Sequence, residues 1–367
     1  SINLSLYKFY AKFLITNNKF IKFEKVLILL TYKFLLIKLI ATVLIIFPTL
    51  SFSVTVNDEL RFATQMLSSG SMISLESAEN SALMATVGEP KASLGHWLRA
   101  QSLYGLAGVG YDFDKKDRPF LEEAKVRMIP LPDNLLPGNI FTFPTANSNS
   151  EYVLLMETSA FRLFVYKIDE FGNLSYENSF YSSIGLSGDN KTKEGDKKTP
   201  IGVYRFIKEI SNPRADGFLG DIAMTLDYPN AQDKRDGRTG YGIWIHGVPK
   251  NTYVRSPKAS DGCLALSNKD IELLKQYITY KKTHILIVSK VSWLDPYTWK
   301  NNSKLIQDLF TSTSQVTGKN KNKVVAYYRV SKDRPSVALI RRGEIFYRDY
   351  WDETNKGLKK LLSERLN

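Results

Sequence analysis

The sequence predicts an α+β protein whose strands pair mainly antiparallel, with a small helical region before the strands and a small α+β tail after them. Three observations predict it. Apolar residues recur at spacings of three and four from residue 57 to about 130. From about Glu151, short β-branched and aromatic runs bounded by turn residues take over. One clear helix interrupts those runs before residue 290, which suits a mainly antiparallel β-domain over 151–290.

The first 53 residues carry seven lysines, one acid and no arginine. Their longest uncharged stretch, Leu39 to Ser53, is mostly apolar up to Leu50. It is shorter than the ~20 residues a membrane span needs. A basic flank before it and the small residues Ser51 and Ser53 after it suit a secretory signal. The other reading is an uncleaved anchor, with Val26–Ile37 helping to span. Either way, membrane contact is expected only through this segment, and the rest in the periplasm or cell envelope.

Residues 54–145 form the expected helical region. "DELRFATQML", "SLESAENSALMATV" and "ASLGHWLRAQSLYGL" are amphipathic and broken at Gly70 and at Gly88–Pro90. "RPFLEEAKVRM" adds a helix with Pro119 in its first turn, and "PLPDNLLPG" reads as a linker. In the β-domain, "YVLLMET", "RLFVYKI", "LSYENSFYSSIG", "GVYRFIKEI", "YGIWIHG" and "THILIV" are strand candidates. The helix over Asn268 to Tyr280 starts at an N-cap, Ser267, with Asp270 three residues on. The tail, 291–367, should hold one helix, three short strands and a terminal basic helix over Asn355 to Leu366.

The chain of 367 residues carries a formal charge of +13, of which the first 53 contribute +7 − 1 = +6. The remaining basic excess suits an anionic envelope surface. No recognition helix, zinc pattern or arginine-rich stripe supports a nucleic-acid partner. One cysteine makes no internal disulfide, so in an oxidising compartment it is either a reactive group or a buried thiol. With no HExxH and no paired Cys–His spacing, neither a zinc site nor another cofactor is expected.

Of the three histidines, His96 lies on a helix beside Trp97 and reads as a packing or surface residue, and His284 begins an apolar strand and reads as structural. His246 ends the strand "YGIWIHG" and precedes Gly247, and "ASDGCLALSN" follows soon after. A strand-end imidazole and the loop thiol of Cys263, beside Gly262, form a candidate base and nucleophile. A free thiol ionises near ~8.5, and a neighbouring imidazole can lower this so that thiolate is populated near neutrality. Gly262 would let a carbonyl approach backbone N–H groups serving as an oxyanion hole. Spacing alone leaves this pair level with a coincidental buried thiol.

The surrounding residues add a resemblance. "IHGVP" and then "SDGCLALSN" resemble the His…Ser-x-Gly-Cys signature of the L,D-transpeptidase family with its YkuD-type catalytic domain. "KEGDKKTPIGVYRF" is similar to that family's G-D-x-x-T-P-x-G-x-Y run, and "GRTGYGIWIHG" extends the match. The resemblance covers the β-domain alone and implies a β-sandwich-like catalytic domain acting on peptidoglycan stem peptides. It implies Cys263 as nucleophile, His246 as general base, Gly262 and Cys263 as backbone donors, and Ser260 shaping the loop. The implied chemistry expels terminal D-alanine and passes the thioester to an amine on another stem, to a lipoprotein lysine, or to water.

Two positions depart from the pattern: Asp261 stands where many members have histidine, and Ala265 where they have arginine. The "SDGC" form resembles a periplasmic branch that includes lipoprotein-releasing and L,D-carboxypeptidase members. Arg238, Arg255 or a loop lysine would replace the missing arginine. Alternation puts Trp244 on the face of His246, so Trp244, with Gly247, Asp261 and Ser260, joins the substrate-binding candidates. Asp196 and Thr199-Pro200 read as turn formers, and Lys191, Lys193, Lys197 and Lys198 as solvated. A hydrolase on the same fold and a catalytically idle peptidoglycan-binding module are the competing functions.

Overall fold

The computed structural model describes residues 54–144, 150–313, 323–354 and 357–366. The expected signal or anchor therefore lies outside the described residues. Among those residues, no helix is long and apolar enough to cross a membrane.

Four helices come first: α1 (Val56–Ser69), α2 (Met72–Gly88), α3 (Ser93–Leu106) and α4 (Arg118–Arg127). Thr55 and Asp58 cap the start of α1 reciprocally, and Gly70 ends it in the left-handed region at φ +68°. The helices bury Leu60, Ala63, Ala82, Ala85, Leu94 and Leu98 against one another. Alanines at this junction let the backbones approach closely. Tyr253, from the β-domain, inserts into the same cluster and ties the two parts together.

An eight-stranded sheet forms the centre. Its order is β11 (Leu264–Ala265), β9 (Trp244–His246), β8 (Ile222–Leu226), β7 (Gly202–Ser211), β12 (His284–Val288), β3 (Tyr152–Glu157), β4 (Arg162–Ile168) and β5 (Leu174–Tyr181). Only the β11–β9 and β12–β3 pairs are parallel, so the sheet is mainly antiparallel. Short strands β6 (Ile184–Gly185) and β10 (Lys258–Ser260) pair beside it, and α5 (Ala231–Arg235) follows β8. Strand β8, "IAMTL", is buried at every position, so it has no alternation for sequence periodicity to detect. Helix α6 (Asn268–Lys275) starts at Ser267, whose hydroxyl accepts the Asp270 N–H. It ends five residues before the sequence predicts, because a turn at Leu274–Tyr277 directs Tyr277 into the core.

The tail holds α7 (Pro296–Thr313) and a second sheet, ordered β17 (Gly357–Arg365), β16 (Ile345–Thr354), β15 (Ser336–Arg342), β14 (Lys323–Tyr328) and β2 (Ile140–Thr142). Residues β1 (Leu136–Pro137) and β13 (Trp293–Leu294) pair separately. The terminal segment predicted as a helix is instead strand β17. Its leucines have helical spacing, but the open edge of β16 supplies backbone partners from Tyr347 to Thr354. Leu358 and Leu362 then pack on the main core. Long-range pairing overrides local pattern here.

Arg348, wholly buried on β16, fastens this sheet to the central one. Its guanidinium donates to the Val203 carbonyl at 2.8 Å, to Asp227 at 2.9 Å and to Glu364 at 2.8 Å. Removing it leaves Glu364 without its cation and Asp227 with Arg205 alone. We expect Arg348→Met to lower unfolding free energy by about 3–5 kcal/mol in denaturant titrations, with the midpoint rather than the slope moving.

Candidate active site

Strands β9 and β11 run parallel, with Leu264 opposite Ile245 and Ala265 opposite His246. This register sets the loop before β11 beside the start of β9. The Trp244 N–H donates to Cys263 Sγ at 3.4 Å, and the thiol donates to the Gly242 carbonyl at 3.4 Å. Trp244 thus meets the cysteine through its backbone. Tyr241, next to it, is exposed.

The loop carrying Cys263 is fixed by two buried hydroxyls. Ser260 Oγ accepts the Gly262 N–H at 3.1 Å and donates to the Cys263 carbonyl at 2.6 Å. Thr199 Oγ1 accepts the Gly185 N–H at 2.9 Å and donates to the Gly262 carbonyl at 3.0 Å. In a trans peptide the C=O and the following N–H point in opposite directions. Holding the Gly262 carbonyl therefore aims the Cys263 N–H the other way, and that N–H has no hydrogen bond among the described residues. The Gly262 N–H, expected as a second oxyanion donor, is engaged by Ser260 instead. Gly262 contributes backbone shape: φ is +123°, and a Cβ there would lie 2.6 Å from the Lys198 carbonyl.

His246 is 1% exposed. Its Nδ1 lies 2.6 Å from the Gly247 carbonyl, which can only accept, so Nδ1 carries the proton and Nε2 the lone pair. Burial pushes this imidazole down to about 4, against a partial lift from the Gly247 carbonyl and a further fall from Arg255. Gly247 itself is packed against Asn268, whose side chain would meet a Cβ at 2.2 Å. It leaves no room for a larger residue.

Cys263 keeps partial contact with solvent, yet the protein crowded around its sulfur pushes the thiol up to about 11. The Trp244 N–H and the Arg255 charge oppose this rise, and Asp261 adds to it. At rest the site therefore holds a neutral thiol and a neutral imidazole, not the thiolate that sequence reasoning anticipates. No hydrogen bond joins the two side chains among the described residues.

The remaining candidates divide clearly. Arg255 lies close enough for its charge to act on both Cys263 and His246; it donates to the Phe218 carbonyl at 2.5 Å and covers the Phe218 ring. Asp261 is exposed, 4.0 Å from Lys197. Arg238 donates to Asn190 and to the Lys191 carbonyl, stitching one loop to another. Ala265 is buried, with its backbone paired to Ser183.

Lys191, expected to be solvated, is buried against Asp196 at 2.8 Å. Asp196 also accepts the N–H groups of Thr192, Lys193 and Lys198, and these contacts hold its carboxyl far below the usual range, against the opposing pull of burial. Asp196 thus closes the loop that delivers Thr199 to Gly262. Sequence reading detects the G-D-x-x-T-P run but has no signal for that contact, which spans 63 positions. His284 is buried and stacked on Tyr328, and His96 bonds the Pro90 carbonyl; neither is near this chemistry. No cluster of metal-ligating residues occurs among the described residues.

Residues 151–288 match the YkuD family, an L,D-transpeptidase catalytic domain. YafK of Escherichia coli (strain K12), provisionally described as an L,D-transpeptidase, is 29% identical over 89 residues. That match covers 24% of this chain and 31% of YafK, so the chain spans about a third of its curated relative. Among solved structures, Bd1075 of Bdellovibrio bacteriovorus is similar with a TM-score of 0.49 and 21% identity, over 63% of this chain and 98% of that one. Pgp2 of Campylobacter jejuni, titled a helical cell shape determining protein, is similar with a TM-score of 0.43 and 22% identity, over 67% and 99%.

Proposed function

Because residues 151–288 belong to the YkuD family of L,D-transpeptidase catalytic domains, we propose that this protein is a cysteine-dependent peptidoglycan L,D-transpeptidase of the cell envelope. The observation that carries the reading is the clamped Cys263 peptide. Thr199 and Ser260 fix the carbonyls on either side of the nucleophile, and its N–H, directed away from Thr199, stays unengaged among the described residues. A carbonyl within reach of Sγ can place its oxygen on that N–H.

In this mechanism Sγ attacks the carbonyl of the third stem residue while its proton passes to His246 Nε2. The tetrahedral oxyanion is held by the Cys263 N–H. Collapse breaks the amide to terminal D-alanine, whose nitrogen takes the proton from His246, and leaves a thioester. An acceptor amine attacks the thioester, returns a proton through His246 and regenerates the thiol. The neutral resting pair means that thiol deprotonation occurs with attack rather than before it.

Product analysis by mass spectrometry after incubation with disaccharide tetrapeptide tests the acceptor. Cross-linked dimers are expected. Monomeric tripeptide alone would assign the acceptor as water and the enzyme as an L,D-carboxypeptidase.

Thr199→Val keeps the shape but removes both hydrogen bonds. We expect a loss of about 1–3 kcal/mol in stability, from the buried groups left unpaired. D-alanine release should slow by about 10²-fold as the oxyanion donor loses its aim. Equal rates for variant and wild type would detach Thr199 from catalysis.

A further inference from the structure

A cavity of about 370 Å³ lies where the helical region meets the central sheet, lined from α1, α4, β4, β5 and the start of α6. Three guanidiniums converge on it: Arg61, Arg127 and Arg162. Arg127 is satisfied, donating to Glu123 at 2.7 Å and to Asn57 at 2.8 Å, with its guanidinium over the Tyr181 ring. Arg61 has one carboxylate, Asp58, at 3.3 Å. The Arg162 guanidinium makes no ion pair or hydrogen bond among the described residues.

The strand partner of Arg162 is Glu157. Its carboxylate, however, is taken by the Val291 N–H at 3.0 Å, with Ser159 beside it. Burial, with the like charges of Arg61 and Arg127, pulls the Arg162 guanidinium down to about 10. A half-buried cation with no carboxylate within ion-pair distance, its neighbour Glu157 offsetting only part of the burial and of the two further cations, is an unfavourable arrangement that a bound anion relieves.

The walls also restrict the anion. Asp58 and Asp270 line the same cavity, and their carboxyls oppose a doubly charged ligand. Val126, Leu131 and Leu273 supply apolar surface for an uncharged body. We propose that this cavity binds a small ligand bearing one carboxylate on a short peptidic or aliphatic body, with Arg162 as its bidentate anchor and Arg61 as second cation. The site is separate from the Cys263 loop and does not depend on the reaction assigned there.

Isothermal titration of the full chain carrying Cys263→Ala, which excludes turnover, tests this with N-acetyl-alanyl-alanine, its C-terminal amide and inorganic phosphate. The acid should bind saturably. The amide should bind at least about tenfold more weakly, and phosphate more weakly than the acid. Arg162→Gln should weaken acid binding at least about tenfold, whereas a peptide seated at the Cys263 loop would be indifferent to it. Arg162→Lys keeps the charge for folding but loses the fork, and should fall between them. No saturable binding of the acid, equal binding of the amide, tighter binding of phosphate, or undiminished binding by both Arg162 variants would overturn the proposal.

Discussion

Cys263→Ala should release D-alanine from a disaccharide tetrapeptide at least about 10⁴-fold more slowly than the wild type, because it removes the atom that forms the thioester. The fold should hardly notice. Among the described residues Sγ makes two long hydrogen bonds, both to backbone groups at 3.4 Å, and the residue keeps some contact with solvent. The change in unfolding free energy should stay within about 1 kcal/mol. Differential scanning calorimetry beside a rate measurement separates the two effects. A large loss of stability would return Cys263 to the class of packing thiols.

His246→Gln should slow the reaction by about 10²–10⁴-fold, the range for loss of a positioned base. Glutamine can still occupy much of the imidazole's space, but it accepts no proton. The wild-type pH dependence follows from the depressed imidazole. With His246 pushed down to about 4, the base stays unprotonated well below the usual histidine range. The acid limb of kcat/KM should therefore fall near pH 4 rather than near 6.5.

Stability carries the same sign. The folded-state value lies below the unfolded one, so the stabilisation is present above about pH 6.5 and is lost as pH falls toward 4. A fall from the ordinary 6.5 to about 4 corresponds to about 3 kcal/mol. His284, pushed down to about 3 by burial and by nearby arginines, adds acid sensitivity in the same direction. His246→Gln should therefore flatten the acid decline of Tm in part, leaving the share of His284. An unchanged Tm profile would show that His246 is not held neutral.

Much of the fold was legible because local chemistry agrees with it. Gly70 ends α1 where the helical spacing breaks, Pro119 sits in the first turn of α4, and Ser267 caps α6. Local pattern failed where distant partners decide. The leucines of residues 357–365 have helical spacing and lie in a strand only because β16 offers an edge. Strand β8 is buried throughout and shows no period.

The site divides in the same way. Cys263, His246 and the glycine between Asp261 and the cysteine stand out as residue types, and the β9–β11 register brings their segments together. The roles of Thr199 and Ser260 are contacts to backbone carbonyls, which residue identity alone does not display. The thiol's elevated ionisation is likewise a product of packing around one sulfur atom. The arginines of the second cavity come from α1, α4 and β4, so no motif could announce them.

The central claim is that Cys263 carries the acyl group. Intact-mass analysis of the full chain, quenched in acid during turnover of disaccharide tetrapeptide, tests it most directly. The account predicts an adduct of the substrate less D-alanine, mapped by peptide digestion to Cys263 and missing from Cys263→Ala. D-alanine release that continues at the wild-type rate in Cys263→Ala, or an adduct mapped to any other residue, would contradict it.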